Sequence, residues 1–590
     1  MKNLSLSWAR VWARARARGY FYIVGPLALA FCVSPVMAQS VPSSVDPGRL
    51  QRNLDAPPKA DQISPSPKTP ALRAPKNFTP QDAEKLTFVL GRLSVEGVTA
   101  YDPNALIAFA KGRIGKTITV AELFDIAAKM TARYRNDGYL LSRVIVPPQK
   151  IDSGSVTLKA IEGYVDKIKV EGLSGKRAQV IRGYVGKIVG QKPLRRGVLE
   201  RYLLLANDLP GMIVRSFIEP SSQSAGAATL TLKVNHKSVD AWSRINNRGT
   251  KYVGPYQAEI GGSLNGIASA DQSLTVRAIS TPLEHEEMKY ANLQFAQQLN
   301  KEGMSIVISA HGLQSEPGSN LAPLELESYS YGVNVGFNFK PLRSREHNLY
   351  LSVSASFDNA KTDALGAVLS EDNSRTLRVG GEYQFIDSFA GSSSAAIGAS
   401  RGFTVMGATP KGDILQTRAD AIPNATWFDA RVSRLQSLGA HLPGVSVQAA
   451  IAGQYSLDAH SSSREFGVGG LANASAFDSS EINGDHGVSG RVEVRYSTAL
   501  PKVDDAVLAG SLLDTGVQFY GFADGGAVWQ EDAQFTQQRK DRIASAGIGL
   551  RFNVGAHVSG NVEVGKPFIQ DVTSTGNREP RVFFQLIGRF

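Results

Sequence analysis

Two short motifs in this sequence approach the patterns that serve catalysis, but each lacks a residue that the chemistry requires. Gly115-Lys116-Thr117 could end a phosphate-binding loop, but such a loop needs a glycine at position 110, where Ala110 stands. His285-Glu286 lacks the second histidine of a helical zinc site, and the remaining histidines are scattered. We therefore predict no catalytic residue, no metal site, no cofactor and no enzymatic activity.

Charged residues recur instead on one side of segments whose other side is apolar. Arg491, Glu493 and Arg495 alternate with apolar residues, and Arg551 lies between two more. Successive side chains of a β-strand point to opposite faces, so each segment would be a strand with one polar and one apolar face. Residues 329–340 repeat the pattern, alternating tyrosine, valine or phenylalanine with small or polar residues. A wet interior and an apolar exterior are typical of a transmembrane β-barrel.

The last strand predicts how this sheet ends. Residues 582–590 carry large apolar side chains on one face, while Gln585 and Arg589 fall on the other. An unpaired backbone group is costly in hydrocarbon, so a terminal strand must pair at both edges and the sheet must close. The residues from Val239 to Phe590 suffice for about sixteen strands of roughly 22 residues each, including their connections.

The N-terminus predicts export from the cytoplasm. Residues 1–38 resemble a secretory signal peptide, in which Lys2 and four arginines precede an apolar core at 20–33 and small residues occupy the cleavage positions. Lipid attachment at Cys32 is the alternative, but Phe31 is too large for a lipoprotein cleavage site. Cys32 is the only cysteine, so we expect a mature chain without disulfides or thiolate metal sites.

Between the signal and the barrel, the sequence predicts a linker and two small domains. Residues 39–84 contain a short predicted helix at 47–54, followed by a proline-rich stretch that cannot continue it. The segments 85–164 and 165–238 each predict the order strand, helix, helix, strand, strand. In the first, the sequence predicts a strand at 88–96 and a longer helix at 120–136, with Leu123, Ile126, Ala127 and Met130 on one face. Together, residues 85–238 hold 24 basic and 12 acidic residues. This charge is either an ordinary solvated surface or a weak attraction for a polypeptide partner, and the secretory context argues against nucleic acid.

Short motifs in these two domains resemble a known family. Val-Pro-Pro-Gln at 146–149, Gly-Ser-Val-Thr-Leu at 154–158 and Glu162-Gly163 resemble the first POTRA domain of two-partner secretion transporters. Residues 203–211 resemble the second POTRA domain. The family is the TpsB group, the ShlB/FhaC/HecB hemolysin secretion/activation proteins, and the resemblance extends over essentially the whole mature chain.

The resemblance implies an α+β part and an all-β part: two tandem POTRA domains in the periplasm, then a 16-stranded antiparallel transmembrane β-barrel at 239–590 in the outer membrane. It implies a monomer, surrounded by outer-membrane lipid, that exports a large TpsA-like exoprotein of hemolysin or adhesin type as an unfolded client. An outer-membrane barrel assembly or insertion factor of the same superfamily is the alternative function. A passive porin is more distant, because a porin needs no periplasmic domains.

The resemblance also identifies a loop and a wall motif. A long connection at about 457–487 resembles the family's inward-folded sixth loop, and Phe522, Asp524 and Gly526 match its barrel-wall motif. The loop positions that correspond to the family pattern are Gly469, Gly470, Ser475, Phe477, Gly484, Asp485 and Gly487. In the family an arginine at the loop tip pairs with the wall aspartate, whereas Ser475 stands at that position here. We therefore expect either that another cation meets Asp524 or that the loop is held differently.

Overall fold

The structure is a computed structural model that describes residues 42–55, 82–221, 224–283, 287–499, 516–531 and 539–590. The predicted secretory signal, most of the proline-rich linker and His285-Glu286 lie outside these residues. In the described part of the chain, no helix is long and apolar enough to cross a membrane.

A short helix opens the described chain and lies inside the barrel. After one 3-10 turn at Ser43–Val45, α1 (Pro47–Asp55) covers the residues at which the sequence predicts a helix. Proline suits the first helical position, and the Asp46 side chain accepts a hydrogen bond from the backbone N–H of Arg49 at 2.8 Å. One side of α1 packs in an apolar cluster through Leu50, and another side lines a polar cavity of about 730 Å³ within the barrel.

The first module contains one short helix, one long helix and two small sheets. Its elements are β1 (Thr87–Val89), β2 (Arg92–Glu96), α2 (Pro103–Ile107), β3 (Thr117–Thr119), α3 (Val120–Asn136), β4 (Arg143–Ile145) and β5 (Ser155–Ile161). Strand β5 pairs in parallel with β2 and antiparallel with β4, and β1 pairs with β3. The prediction of one continuous strand at 88–96 is wrong. Leu90 is fully buried and its N–H donates to the Lys116 carbonyl, so the chain leaves one sheet before it enters the next.

The long helix of this module follows its sequence pattern. Thr119 and Glu122 form a capping box at its start, in which each side chain accepts a hydrogen bond from the other residue's backbone N–H. The apolar face predicted from the periodicity, including Leu123, Ile126 and Met130, is buried in the module core. Residues 120–136 are therefore helical, as their hydrophobic period predicts.

The second module has the order strand, helix, helix, strand, strand, which the first module has with the pair of β1 and β3 added. It also has a core of its own. Its elements are β6 (Tyr164–Glu171), α4 (Gly175–Val185), α5 (Arg196–Asn207), β7 (Met212–Pro220) and β8 (Ala227–His236). Strand β8 lies between β6, which runs parallel to it, and β7, which runs antiparallel. Both helices bury apolar residues against the sheet, among them Ile181 and Leu205.

The rest of the chain forms a closed antiparallel barrel. Its strands and one internal hairpin are β9 (Val239–Asn246), β10 (Gln257–Asn265), β11 (Gln272–Ser280), β12 (Met288–Gln298), β13 (Met304–Ser315), β14 (Glu327–Arg343), β15 (His347–Ala364), β16 (Ala367–Ile386), β17 (Gly391–Gly402), β18 (Thr426–Ser437), β19 (Val445–Ser456), the hairpin β20 (Phe466–Val468) and β21 (Ile482–Gly484), β22 (His486–Ala499), β23 (Gly516–Trp529), β24 (Lys540–Val554), β25 (Val558–Phe568) and β26 (Arg581–Arg589). Sixteen strands pair with their neighbours in order around the barrel. The prediction of a sixteen-stranded antiparallel barrel is confirmed.

The terminal strand closes the barrel as its sequence requires. Strand β26 pairs with β25 on one edge and with β9 on the other, where Gln585 lies opposite Asn246. The outward face carries exposed apolar residues, such as Ile548 and Tyr331, beside small or polar residues that point inward. Closure therefore pairs the backbone of the last strand on both sides.

The second module docks on the end of the barrel at which β9 begins. The Asp208 carboxylate accepts hydrogen bonds from Arg343 at 2.8 and 3.0 Å and from Lys340 at 2.9 Å. Burial alone would raise the pKa of Asp208, but Arg343 and Lys340 outweigh it and hold the pKa below its usual range. Arg201 also donates to the Pro341 carbonyl at 2.7 Å. Arg201 donates in addition to the Glu302 carbonyl at 2.9 Å, so these contacts fix the module against the end of β14 and the connection at 299–303.

A buried carboxylate organises the first module. Glu162 accepts hydrogen bonds from the backbone N–H groups of Thr99 and Ala100, at 2.8 and 2.9 Å, and from the Tyr134 hydroxyl at 2.8 Å. Burial alone would raise the pKa of Glu162, but these hydrogen bonds outweigh it and hold the pKa below its usual value. The carboxylate thereby ties the connection after β2 to α3.

We expect Glu162→Gln to destabilise this module by about 2 kcal/mol, because an amide accepts these hydrogen bonds less strongly than a carboxylate. Hydrogen exchange of the α3 amides in the full chain should then accelerate by roughly 30-fold. Because the folded-state pKa is lowered, the contribution is present above about pH 4.3 and lost as the pH falls through the lowered pKa. Glu96→Gln, at an exposed position of the same module, is the control. Equal exchange in both variants would contradict the assignment.

Candidate functional site: an inward loop held against the barrel wall

The connection between β19 and β22 folds back into the barrel. This inward loop, residues 457–485, contains a 3-10 turn at Ser462–Arg464 and the antiparallel hairpin of β20 and β21. The sequence places its end at about 487, but β22 begins at His486, so Gly487 lies in the wall strand. The residues between β20 and β21 form the tip, which reaches the wall at β23 and β24.

Ser475 lies at the tip and is fully buried. Its backbone N–H donates to the Asp524 carboxylate at 3.1 Å, and its hydroxyl accepts a hydrogen bond from Arg491 at 3.0 Å. Its carbonyl accepts a hydrogen bond from Arg248 at 2.7 Å. The neighbouring Ala476 N–H donates to the Ser545 hydroxyl at 3.3 Å, and that hydroxyl in turn donates to Asp524. The loop tip is therefore bound to the wall mainly through its backbone.

The cation that meets Asp524 comes from the wall. Arg491 lies directly opposite Asp524 in the register of β22 and β23, and the two side chains form an ion pair at 2.8 Å. The guanidinium also lies 4.1 Å from the centre of the Phe522 ring. In this structure Arg491 of the wall meets Asp524, and the loop tip is held through its backbone.

Asp524 belongs to a larger set of buried wall charges. Glu563 accepts hydrogen bonds from Arg248 at 2.8 Å and from Arg491 at 3.3 Å, and Glu493 forms an ion pair with Arg551. Coulomb attraction is strong in such a poorly hydrated place, and each carboxylate has at least one guanidinium beside it. The wall balances its own buried charge without a charge from the loop tip.

An apolar contact complements these polar ones. Phe477 is almost fully buried in a cluster with loop residues such as Val468 and wall residues such as Val528 and Ile543. Arg581 closes the tip by donating to the Ala476 carbonyl at 3.0 Å. The tip is therefore held by burial as well as by hydrogen bonds.

Glycines allow the loop backbone to lie directly on the wall. A Cβ at Gly526 would stand 2.9 Å from the Val468 side chain and 2.6 Å from the Val488 carbonyl oxygen. At Gly469, φ is +127° and a Cβ would stand 2.2 Å from the Asp478 carbonyl oxygen, so this position requires glycine. Gly470 continues the same turn, while Gly484 lies at the end of β21 against Trp529 of the wall.

A second anchor holds the loop at the end of the barrel that lies away from the second module. Asp485 is fully buried and accepts hydrogen bonds from Arg418 of the 403–425 connection at 2.8 and 2.9 Å. Arg418 also donates to Glu465 at 2.9 Å, and Glu465 forms an ion pair with Arg49 of α1. Arg418, Glu465, Asp485 and Arg49 form what we call the outer anchor.

Several of these residues are absent from the sequence predictions. Arg491 is predicted to face the interior, but its pairing with Asp524 depends on a register that the alternation pattern does not give. Arg418 and Glu465 lie in irregular connections, where no periodic signal marks them. Arg49 lies in the predicted helix at 47–54, but no sequence pattern marks it as a partner of the loop.

The motifs that resemble enzymatic ones do not lie in the secondary structure that their chemistry requires. Thr117 lies in β3, so Gly115-Lys116-Thr117 leads into a strand and not into the helix that a phosphate-binding loop needs. Gly398-x-Ser400-x-Gly402 has the spacing of a nucleophile elbow, but it lies within barrel strand β17. Within the described ranges, no group of histidine and acidic residues could hold a metal ion.

Known proteins share this architecture. The heme/hemopexin transporter protein HuxB of Haemophilus influenzae (strain 86-028NP) is 24% identical over 577 residues, which is 95% of this chain and 97% of that protein. The outer membrane transporter CdiB of Escherichia coli O6:K15:H31 (strain 536 / UPEC) is 23% identical over 215 residues, 36% of this chain and 33% of that protein.

Two solved structures have the same fold at low sequence identity. CdiB from Escherichia coli superposes with a TM-score of 0.68 at 18% identity, covering 92% of this chain and 96% of that chain. CdiB from Acinetobacter baumannii superposes with a TM-score of 0.58 at 16% identity, covering 86% and 90%.

Two family descriptions match the sequence itself. The ShlB-type POTRA domain matches residues 88–163, which contain the first module. The description "Haemolysin secretion/activation protein ShlB/FhaC/HecB" matches residues 227–552, more than half of the chain and most of the barrel. The chain therefore belongs to the haemolysin secretion/activation protein family ShlB/FhaC/HecB.

Proposed function

We propose that this chain exports one large partner exoprotein across the outer membrane by two-partner secretion. The observation that carries the proposal is a closed barrel whose interior holds two separable elements, α1 and the inward loop, beside a POTRA module. A passive pore needs neither element, whereas a protein conductor must be closed at rest and must open for its client. The client is a hemolysin- or adhesin-like exoprotein that passes in an unfolded state, and outer-membrane lipid surrounds a monomeric barrel.

The domain organisation is part of this proposal. Residues 1–38 are the signal peptide, 39–84 the helix and linker, 85–164 and 165–238 two tandem POTRA domains, and 239–590 the barrel. The second module supports its assignment by having the strand, helix, helix, strand, strand order of the first. Both modules lie in the periplasm, where the free edges of their sheets offer backbone groups to an extended client.

Export is tested by measuring the exoprotein and the other barrels together. In a Gram-negative host that carries this chain and its partner, the exoprotein should reach the cell surface, and deleting the chain should leave it in the periplasm. The levels of other outer-membrane barrels should not change. A general loss of other barrels would instead favour a barrel assembly factor.

We assign the inward loop the role of a gate. Its tip blocks the barrel where Ser475 meets Asp524 and Arg491, and an extended polypeptide needs this space. Opening the gate breaks the hydrogen bonds to the tip but leaves the ion pair of Arg491 with Asp524 intact, since both residues belong to the wall. We call the contact of Ser475 with Asp524 and Arg491 the inner contact. Because serine stands here in place of the usual loop arginine, this contact is easier to release.

We expect Ser475→Arg alone to weaken the gate. The new guanidinium would be placed beside Arg491 and Arg248 in a fully buried site, where like charges repel and the volume is already filled. Arg491→Ser alone should also weaken it, because Asp524 loses its cation. The double variant moves the guanidinium from wall to loop and should restore the closed pore, with a coupling energy of about 1–3 kcal/mol.

Channel conductance in planar bilayers measures how often each of these variants is open. Arg431→Ser, which removes another arginine lining the interior away from the tip, is the matched control. Additive effects of the two substitutions would show that positions 475 and 491 do not act at one contact.

A disulfide should lock the gate. A Cβ at Gly565 would stand 3.0 Å from the Ala476 Cβ, so cysteines at these positions can form a bond after a small shift. We expect Ala476→Cys with Gly565→Cys to stop export when oxidised and to restore it on reduction, because the tip can no longer leave the wall. Each single cysteine variant is the control. Undiminished export through the oxidised variant would exclude the loop as a gate.

A further inference from the structure

Helix α1 packs directly on the limb of the inward loop that enters the barrel. The Arg49 side chain donates to the Ser462 carbonyl at 2.7 Å, and the Ser462 hydroxyl donates to Asp46 at 2.7 Å. A Cβ at Gly48 would stand 2.6 Å from the Ser463 Cβ, so the helix backbone lies against the loop with no space between them.

The same N-terminal segment also contacts the loop tip, just before β21 begins. The Ser43 hydroxyl donates to the Ser480 carbonyl at 2.7 Å, and the Asn53 side chain donates to the Ser480 hydroxyl at 3.2 Å. Helix α1 and the turn before it therefore fill part of the barrel and, in addition, brace the entering limb and the tip of the loop.

One carboxylate joins this brace to the barrel. Glu465 is 3% exposed, and its two oxygens face different elements: one pairs with Arg49 of α1, and the other accepts a hydrogen bond from Arg418 at 2.9 Å. Arg52 of α1 donates to the Glu465 carbonyl at 3.0 Å. Arg418 is at the same time the partner of Asp485 and Asp420.

We infer that Glu465 is a positioning residue that couples the release of α1 to the release of the inward loop. When α1 leaves, Arg49 and Arg52 leave with it. Among the described residues, Arg418 is then the arginine that pairs with the carboxylates of Glu465, Asp485 and Asp420. A buried carboxylate without sufficient cations is strongly unfavourable, so the seated loop loses stability.

The coupling acts in both directions. Helix α1 binds more tightly to the barrel when the loop is closed than when the loop has moved. The coupling between the two elements is therefore reciprocal. Release of the loop therefore weakens the binding of α1 inside the barrel by the same factor. The inference takes from the proposed function only the two elements that move, and it applies to the resting protein without any client.

Two thiol probes can follow the two elements separately in outer membranes that lack the exoprotein. Val45→Cys reports α1, since Val45 is 2% exposed in the apolar cluster at its start, and Ala476→Cys reports the fully buried loop tip. The rate of labelling by a bulky maleimide measures how often each position is exposed.

We expect Glu465→Gln to raise the labelling rate about tenfold at both probes, and Arg49→Gln to do the same at position 476, which Arg49 does not touch. Glu465→Asp keeps the charge and should restore slow labelling at both probes. Glu325→Gln, which removes a carboxylate from an exposed residue of another connection, should change neither rate.

Faster labelling at position 45 with an unchanged rate at position 476 would overturn the coupling. Arg49→Gln decides the question even if Glu465→Gln prevents assembly, because α1 is not part of the barrel wall. Failure of the proposed gate is a different result: the oxidised 476–565 disulfide would leave export intact, whatever the labelling rates.

Discussion

The closed state of this barrel depends on the neutralisation of carboxylates that water does not reach. Asp524, Glu493 and Glu563 are buried on the inner wall, and removing a carboxylate from water is costly unless cations lie beside it. Arginines of the barrel itself supply those cations, chiefly Arg491 from the neighbouring strand and Arg248 from the connection after β9. Because arginines of the barrel neutralise these carboxylates, Ser475 of the loop tip meets Asp524 through hydrogen bonds and not through a charge of its own.

The barrel could be predicted because its signal is local. Alternation at 329–340 and the apolar face of 582–590 follow from the requirement that each strand place one side in lipid and the other in the interior. Helix α3 was equally accessible, since Thr119 and Glu122 mark its start and Leu123, Ile126 and Met130 mark its buried face. In these segments, the residues that determine the structure are neighbours in the sequence.

The contacts of the candidate site were less accessible because they join distant residues. The wall motif identifies Asp524 and the loop pattern identifies Ser475. The partner of Asp524, however, depends on the register of β22 against β23. A shift of that register by one residue would place Gly490 or Val492 opposite Asp524 and leave the carboxylate without its cation. The sequence does not predict the break at Leu90 for a similar reason, since the Leu90 N–H donates to the Lys116 carbonyl, just before the distant strand β3.

The distribution of charge between loop and wall differs at the two anchors, and this difference locates the cost of opening. At Ser475 the loop withdraws without separating Asp524 from its cation, because Arg491 stays in the wall. The tip does separate one pair of charges from the wall, that of Asp478 with the partly exposed Arg581 of β26. At the outer anchor the loop carries Glu465 and Asp485, whose cations belong to α1 and to the 403–425 connection. Moving the loop there separates buried charges, and burial makes that separation expensive. The tip therefore determines where the closed loop rests, and the outer anchor determines how firmly it is held.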